Sequence, residues 1–415
     1  MISVEEALAH VLTHFHPLEL ERVPLLDSLD RVLTEDIVSD SNVPPFNNSA
    51  MDGYAVIADD IMHASDENPV TLRVIGEVAA GYIAISPVER GSTIRIMTGA
   101  PLPLGADTVV RFEDTSEGLE SGATGRKCVE IMQAIRRGDN VRMAGEDIRV
   151  DEVVFVKGTV VREGEIGVMA SLGKKYVSVH RRPRVAILAT GDELVEIDEP
   201  VTPGKIRNSN GYSNAAAVLK AGGVPVQLGI ARDNIGDLTA KIHEGLDADV
   251  DLFITSAGVS VGDYDIVKDV LNAEGEVRFW QVRMKPGKPL AFGVLRGKKQ
   301  VPLLGLPGNP VSAMISFDVF ARPAILKMLG RTEFARPTVR AVLQGDVKNN
   351  TQRRNIIRVV VEKRDGGFIA RSTGAQGSGI LTSIARANGF LVVPEEVSLV
   401  RAGELVEVQM LHGEL

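Results

Sequence analysis

The chain has a single cysteine, Cys128, in 415 residues. That excludes an internal disulfide and a cysteine-rich metal cluster, and it suits a reducing compartment. Aromatic residues make up only 4% of the chain, too few for a platform that stacks single-stranded nucleic acid. Bases are outnumbered too: 46 Lys and Arg stand against 55 Asp and Glu, a formal net charge of −9. A nucleic-acid coat is therefore not expected, and an anionic substrate would need a local basic pocket. Long hydrophobic runs are missing. RVAILAT (184–190) and DLFIT (251–255) fall far short of the roughly 20 residues of a membrane span. The start MISVEEALAH has early acids and neither a basic nor an apolar leader region, so no secretory signal is expected. Together these absences predict a cytoplasmic protein that binds neither nucleic acid nor membrane.

The rest of the composition is ordinary for a globular chain, and 415 residues call for two to four domains. Ser3 and Glu6 form an S-x-x-E capping box. Val4, Leu8, Val11, Leu12 and Phe15 follow at helical spacing, predicting an N-terminal helix with one packed face. His10 and His14 share a face, but no Cys or carboxylate completes a metal-ligand set, so they are expected to be solvated or packed. A short helix is read over Leu25 to Val32, then an extended stretch. From 54 to about 160, short runs such as TLRVIGEV (71–78), GSTIRIMTG (91–99) and DTVVRF (107–112) predict a β-rich domain with a hairpin tip over 115–126. A helix from Glu163 to Leu172 ends at Gly173.

The pattern changes at Arg181-Arg182-Pro183. Apolar strands (RVAILAT, PVQLGIA, DLFITS, VRFWQV, AFGVL, VPLLGL) alternate with helices from about Ser213 to Ala221, Ile235 to Gly245, Asp263 onward, and Pro310 to Leu329. Such alternation predicts a mostly parallel sheet covered on both faces, with ligands at the carboxyl ends of its strands. The polar motifs TGDE, ARDN, TSAGVSVGD and LPGNP fall at those ends. From Arg336 onward, runs such as IIRVVVE (356–362) and LVEVQML (405–411) predict a small β-domain.

Some stretches carry chemistry. In Pro44–Val56 two prolines set an extended approach, Asn47, Asn48, Ser49 and Asp52 crowd a turn, and Gly53 permits a sharp bend. Asp52 there reads either as a cation or ligand group or as a plain turn acceptor. Gly258, Ser260, Gly262 and Asp263 join a strand to a helix; the loop reads as an anion cradle or as an ordinary turn, and it matches neither a dinucleotide fingerprint nor a P-loop. Lys285 and Lys288 flank a Pro-Gly turn that sets two ammonium groups near each other. Asp192, Glu193, Asp233, Asp263 and Asp265 collect at the same edge, although Asp192 and Asp263 also read as caps or turn acceptors. Acids beside an anion cradle suit Mg²⁺ bound to phosphate oxygens. No Ser/His/Asp set or reactive Cys stands out, so metal-assisted substitution at phosphorus is expected rather than a covalent intermediate.

SAMDGYAV (49–56), RIMTGAPLP (95–103), TGDEL (190–194), GVSVGDYD (258–265), MKPGKPLAFG (284–293) and LPGNPVSA (306–313) together resemble, in order and over essentially the whole chain, the molybdopterin molybdenumtransferase family. That family includes the MoeA proteins and the corresponding domain of gephyrin. The resemblance implies a multidomain α/β plus β protein with a discontinuous N-terminal domain (1–44 and 147–180) bearing the helical segment and an inserted β-rich domain (45–146). A central three-layer α/β molybdopterin-binding domain (181–330) and a small C-terminal β-barrel-like domain (331–415) follow. It also implies an elongated homodimer with the site in a cleft between protomers.

The implied activity is insertion of molybdate into adenylated molybdopterin with release of AMP, assisted by Mg²⁺ or a similar cation. By motif, Asp52, Thr98, Glu193, Asp233 and Asp265 would be catalytic, with Glu193, Asp233 and Asp263 holding the cation. Arg142 and Asp147 match an R-x-x-G-E-D element. With Gly258, Ser260, Gly262, Asp263, Lys285, Lys288, Pro307, Pro310, Arg353, Arg358 and Ser378 they would bind substrate. Implied partners are a molybdopterin adenylyltransferase and molybdoenzymes. The chain departs from the family pattern at Asn47, where Asp is usual, at Ala257, where Gly is usual, and at Thr351-Gln352-Arg353-Arg354, where a Gly-Arg pair is common. Alternatives are a tungstate-inserting homologue, an adenylyltransferase or nucleotide-cleaving enzyme like the central domain alone, and a molybdopterin carrier or scaffold.

Overall fold

The strand Arg184–Thr190 is buried at every position after its first, because both faces of its sheet are covered. Val185 and Ile187 share a core with Ala215 and Val218 of helix Ser209–Lys220 and with Val311, Phe317 and Phe320 of the helical run 310–328. Their neighbours Ala186 and Leu188 face the other way, into a core with Leu238 and Ile242 of helix Ile235–Asp247 and Val270 and Leu271 of helix Ile266–Glu274. Three layers result, helices on a sheet on helices.

The computed structural model describes residues 1–117, 127–256, 266–364 and 366–411. They form two compact units, one of Met1–Val23, Asp30–Thr34 and Ser178–Leu415, the other of Pro24–Leu29 and Glu35–Val177. No helix is long and apolar enough to cross a membrane among the described residues.

In the first unit the six-stranded sheet runs Val224–Ala231, Arg184–Thr190, Leu252–Ser256, Gln300–Leu306, Pro289–Arg296, Gly275–Gln281. The first four are parallel, Pro289–Arg296 reverses, and Gly275–Gln281 reverses again, so five of the six point the same way. The mostly parallel sheet expected from the apolar runs is therefore present. Beyond it, Arg354–Arg364, Gly367–Ser372, Thr338–Gln344, Leu405–Met410 and Gly389–Val393 pair in a ring that closes on itself, a five-stranded barrel. The two-residue strand Met284–Lys285 leaves the central sheet to pair with Arg354 and Asn355 of that barrel.

The N-terminal helix Val4–Leu12 has both bonds of its capping box, Glu6 N–H to Ser3 Oγ at 3.1 Å and Ser3 N–H to Glu6 Oε2 at 2.8 Å. Val4, Ala7, Val11 and Phe15 are buried in the core that holds Leu290 and Phe292. His10 and His14 pack, with ring centroids 5.1 Å from Trp280 and 4.9 Å from Phe292 respectively.

The second unit holds a five-stranded sheet ordered Thr108–Arg111, Gly53–Val56, Ser92–Ile96, Val70–Val78, Cys128–Ile131. It too is covered on both faces: Tyr54 and Val56 enter one core with Leu72 and Val110, while Ala55 enters another with Ile94 and Val109. The helix Glu163–Ser171 ends before Gly173, whose φ of +68° suits a residue without a Cβ.

Three local readings change. Only Leu25–Ser28 is helical, as a single 3₁₀ turn, in place of the helix read over Leu25 to Val32. The helix read from Ser213 begins a turn earlier at Ser209, because Asn208 caps it by accepting Gly211 N–H at 2.9 Å. The run 310–328 is interrupted by a π turn, Phe317–Ala321, just before Pro323, which has no N–H to continue an α-helical ladder.

At the amino-terminal edge of the central sheet, Asp251 is gripped on every side. Arg181 donates two bonds of 2.6 and 2.7 Å, Arg184 N–H one of 2.9 Å and Lys299 Nζ one of 3.0 Å. Burial opposes the carboxylate charge, but these donors outweigh it and hold the group below the ordinary value of 3.8. Its contribution is thus present above the unfolded value and lost as pH falls through the lower folded one. Asp251→Asn is expected to cost about 1–3 kcal/mol, less than the roughly 3–5 of a wholly buried pair, because Arg181 and Lys299 are partly exposed. Thermal denaturation should show a gap between wild type and variant that is steady at neutral pH and narrows below 3.8. A gap independent of pH would show that the charge contributes nothing.

Candidate functional site

The carboxyl ends of the parallel strands open onto a cavity of about 660 Å³. Thr190 and Ser256 end two of the strands that reach it, and the Pro307-Gly308-Asn309-Pro310 turn follows a third. Glu193 enters from the loop after Thr190, Arg207 to Asn210 from the start of helix Ser209–Lys220, and Gly379 and Leu381 from the barrel. This is the crevice that a doubly covered parallel sheet presents to a ligand.

Among the acids expected there, Glu193 lines the cavity. Its carboxylate folds over Gly191, whose φ is +143° and where an added Cβ would lie 2.3 Å from Glu193 Oε2. Asp192 and Asp233 brace each other instead: each carboxylate accepts the other's backbone N–H at 3.2 Å, tying the ends of two adjacent strands. Asp233 is outside the cavity lining. Gly258, Ser260, Gly262, Asp263 and Asp265 lie outside the described residues. Among the described residues no group of three His, Cys, Asp or Glu is close enough to hold an ion.

Pro307 and Pro310 both line the cavity, and Pro310 opens the helix Pro310–Ser316 at its first position, where a missing N–H is harmless. Asn210 Nδ2 donates to Gly308 O at 2.7 Å, while Asn210 Oδ1 is buried and accepts nothing among the described residues. Arg207, Asn208, Ser209 and Asn210 were missed as site residues. The Asn-Ser-Asn-Gly run after Arg207 is a helix-capping signature that would have placed the helix start, and hence these residues, at the strand ends.

The two lysines lie on either side of the Pro286-Gly287 turn. Lys285 sits in the barrel-paired strand and lines a separate cavity of about 280 Å³ with Lys348, Asn355 and Gln376, whereas Lys288 lines neither cavity. From the barrel, Ser378 O accepts Val311 N–H at 3.1 Å, which satisfies a first-turn donor of the helix Pro310–Ser316. Arg354 pairs with Glu5 and Glu395, leaving Arg353 as the arginine of the pair that no carboxylate engages among the described residues. Arg358 is only 1% exposed. It donates to Ser383 Oγ and to Gly377 O, both at 3.1 Å, and so pins the segment that carries Gly379 and Leu381 to the cavity. Burial pushes its pKa down, and no carboxylate pairs with it among the described residues.

In the second unit, Asp52 and Thr98 are brought together. Asp52 Oδ1 accepts both Thr98 N–H at 2.6 Å and Thr98 Oγ1–H at 2.8 Å. These bonds, the backbone one first, hold the exposed Asp52 carboxyl below its ordinary value, with Arg95 assisting. Arg142 stands opposite Asn48 in a short antiparallel pair, and Asp147 follows on the same loop, its N–H bonded to Val43 O. Asn47 Oδ1 accepts Ala144 N–H at 2.8 Å, a bond that the family's usual Asp would make equally. Gly53 makes no sharp bend. It lies in a strand, and a Cβ there would lie 1.8 Å from Val110 O, so the glycine serves a close backbone approach.

A three-layer α/β core with a cavity at its strand ends, carrying a closed β-barrel on the same unit, is the architecture of a protein that binds a small ligand. Three matches run along the chain: the MoeA N-terminal region (domain I and II) over residues 2–173, the probable molybdopterin binding domain over 186–327, and the MoeA C-terminal region (domain IV) over 340–411. The chain belongs to the molybdopterin molybdenumtransferase (MoeA) family. It is 36% identical over 415 residues to the molybdopterin molybdenumtransferase of Bacillus subtilis, covering 100% of this chain and 95% of the relative. It is also 38% identical over 392 residues to molybdopterin molybdenumtransferase 2 of Mycobacterium tuberculosis, covering 93% and 94%. Among solved structures, the molybdopterin biosynthesis MoeA protein of Pyrococcus horikoshii OT3 superposes with a TM-score of 0.81 at 32% identity, over 99% of this chain and 100% of that one.

Thr98→Val removes one of the two donors to Asp52. The Asp52 carboxyl, followed by carbon-detected NMR titration, is expected to titrate closer to 3.8 in the variant. An unchanged midpoint would remove the hydroxyl from the account of this corner. Arg358→Met is expected to speed amide exchange in residues 379–383 by about tenfold or more, through loss of two charge-assisted bonds, and to leave the strand Gln300–Leu306 unchanged. Exchange unchanged at 379–383 would mean that the arginine does not hold this segment.

Proposed function

We propose that the chain inserts molybdate into adenylated molybdopterin and releases AMP, a transferase of molybdenum cofactor biosynthesis. The observation that carries this reading is the 660 Å³ cavity at the strand ends, in a chain that matches the MoeA regions in order along its length. The volume suits a ligand the size of a pterin joined to a nucleotide.

Asn210 lines that cavity and donates to Gly308 O, which fixes the 307–310 turn against the helix start. Arg207, whose guanidinium also donates to Ile197 O, would offer a cation to a phosphate, and Pro307 and Pro310 set rigid walls. Glu193, held over Gly191, presents its carboxylate from the adjoining loop. Glu193 would supply one hard oxygen donor to a divalent cation such as Mg²⁺, with Asp263 and Asp265 proposed as further acids. When bound, that ion would neutralise phosphate oxygens and ease substitution at phosphorus. Asp233 supports the site through its brace to Asp192. Asp52, kept ionised by Thr98, would orient the reacting groups in a homodimer, with Arg142, Asp147, Lys285, Lys288, Arg353 and Ser378 as further substrate contacts and Arg358 acting through the segment it pins. The setting is the cytoplasm, between an adenylyltransferase that supplies the substrate and molybdoenzymes that take the product. Tungstate has the same shape and charge as molybdate, and no residue type here separates the two.

Purified protein is expected to release AMP from adenylated molybdopterin only when molybdate or tungstate and a divalent cation are both present. Glu193→Ala and Asp52→Ala should each lower that rate by about a hundredfold. Release without an oxyanion would make the chain a pyrophosphatase, and tight binding with no release would make it a carrier.

A further inference from the structure

Glu193 sits on a segment whose backbone is claimed from two sides. On one side Gly191 N–H donates to Ala231 O at 3.2 Å, next to the crossed bonds of Asp192 and Asp233. On the other, Leu194 and Val195 pair with Ile206 and Arg207 in a short parallel ladder, and Glu193 O accepts Ile206 N–H at 2.8 Å. The carbonyls before and after it go to cationic side chains instead. Asp192 O accepts from Lys205 Nζ, and Leu194 O accepts from Arg232 Nη1 at 2.9 Å.

Three successive carbonyl oxygens thus have three separate donors, two of them charged, and charged donors make the stronger bonds. No carboxylate pairs with the Lys205 or Arg232 side chain among the described residues, so both charges are directed at main-chain oxygens. Arg232 is itself anchored, its backbone N–H donating to Asp237 Oδ2 at 2.6 Å in the first turn of helix Ile235–Asp247. Neither cation lines the strand-end cavity, whereas Glu193, between the two carbonyls they hold, does. The pair therefore draws the flanking oxygens away from the cavity, where they would repel an anion. That leaves the Glu193 side chain as the oxygen donor this segment presents. Its seat is Gly191, where φ is +143° and a Cβ would lie 2.3 Å from Glu193 Oε2.

We propose that Lys205 and Arg232 are positioning residues for Glu193, each acting through a carbonyl adjacent to it in the chain. The inference rests on the transferase reading, in which Glu193 works at the cavity. On the full chain, Lys205→Met and Arg232→Met are each expected to lower kcat for AMP release about fivefold, with KM for adenylated molybdopterin within about twofold of wild type. Lys205→Arg and Arg232→Lys, which keep the charge, should restore most of the lost rate. In a Glu193→Ala background the two Met substitutions should cause no further loss, because the group they position is gone. A comparable loss in that background, or a rise in KM with kcat kept, overturns the proposal. Amide exchange gives a second readout that needs no turnover. At Ile206, whose N–H is bonded to Glu193 O, both Met variants should exchange about fivefold faster, with melting temperatures kept and the strand Gln300–Leu306 unchanged. Unchanged exchange at Ile206 also overturns it. Should the wild-type chain release no AMP, the transferase reading falls, and exchange at Ile206 alone decides whether the two cations hold the segment.

Discussion

The shared direction of five strands in the central sheet is the constraint from which the rest of the first unit follows. Parallel strands cannot be joined by tight turns, so each connection must cross a face as a helix, and both faces become apolar. That is why Val185 and Ile187 belong to one core and Ala186 and Leu188 to another. It also divides the labour between the two edges. The amino-terminal edge is locked by Asp251 and its three donors, whereas the carboxyl-terminal edge keeps Glu193, Asn210 and the 307–310 turn around open space.

The barrel completes this edge rather than standing apart from it. It supplies Gly379 and Leu381, and it satisfies Val311 N–H through Ser378 O. A wholly buried Arg358 without a carboxylate partner among the described residues is an expensive way to secure one segment. Its two bonds converge on the segment that closes the cavity, so the charge is kept where positional accuracy matters most.

Much of the first unit was legible in the sequence because its strands are unbroken apolar runs and its capping box is local chemistry. Arg184–Thr190, Leu252–Ser256 and Gln300–Leu306 could be read almost to the residue, and the TGDE and LPGNP motifs pointed to the correct edge. What escaped depended on partners distant in the chain. Gly53 read as a bend because nothing near it in sequence reveals Val110 O standing where a Cβ would lie. Arg358 is named as a substrate contact by the family resemblance alone; its burial depends on Ser383 and Gly377, some twenty residues on. Lys285 lines a cavity with Lys348 and Gln376 because its strand pairs with Arg354 and Asn355, a partnership that lies some seventy residues on. The start of helix Ser209–Lys220 was obscured by Ser, Asn and Gly, weak helix formers that serve here as cap and cavity wall.

The strand Met284–Lys285 has a further consequence. It lies between two strands of the central sheet in sequence, Gly275–Gln281 and Pro289–Arg296, yet its backbone is woven into the barrel beside Arg354 and Asn355. The barrel is therefore held not only covalently through 331–337 but also by a stitch from the middle of the neighbouring fold. A protease that severed the covalent link would leave the halves sewn together, and a gene segment encoding the barrel alone would lack the thread. Exchange of this module between proteins is thus hindered by the weave itself, independently of any chemistry at the cavity.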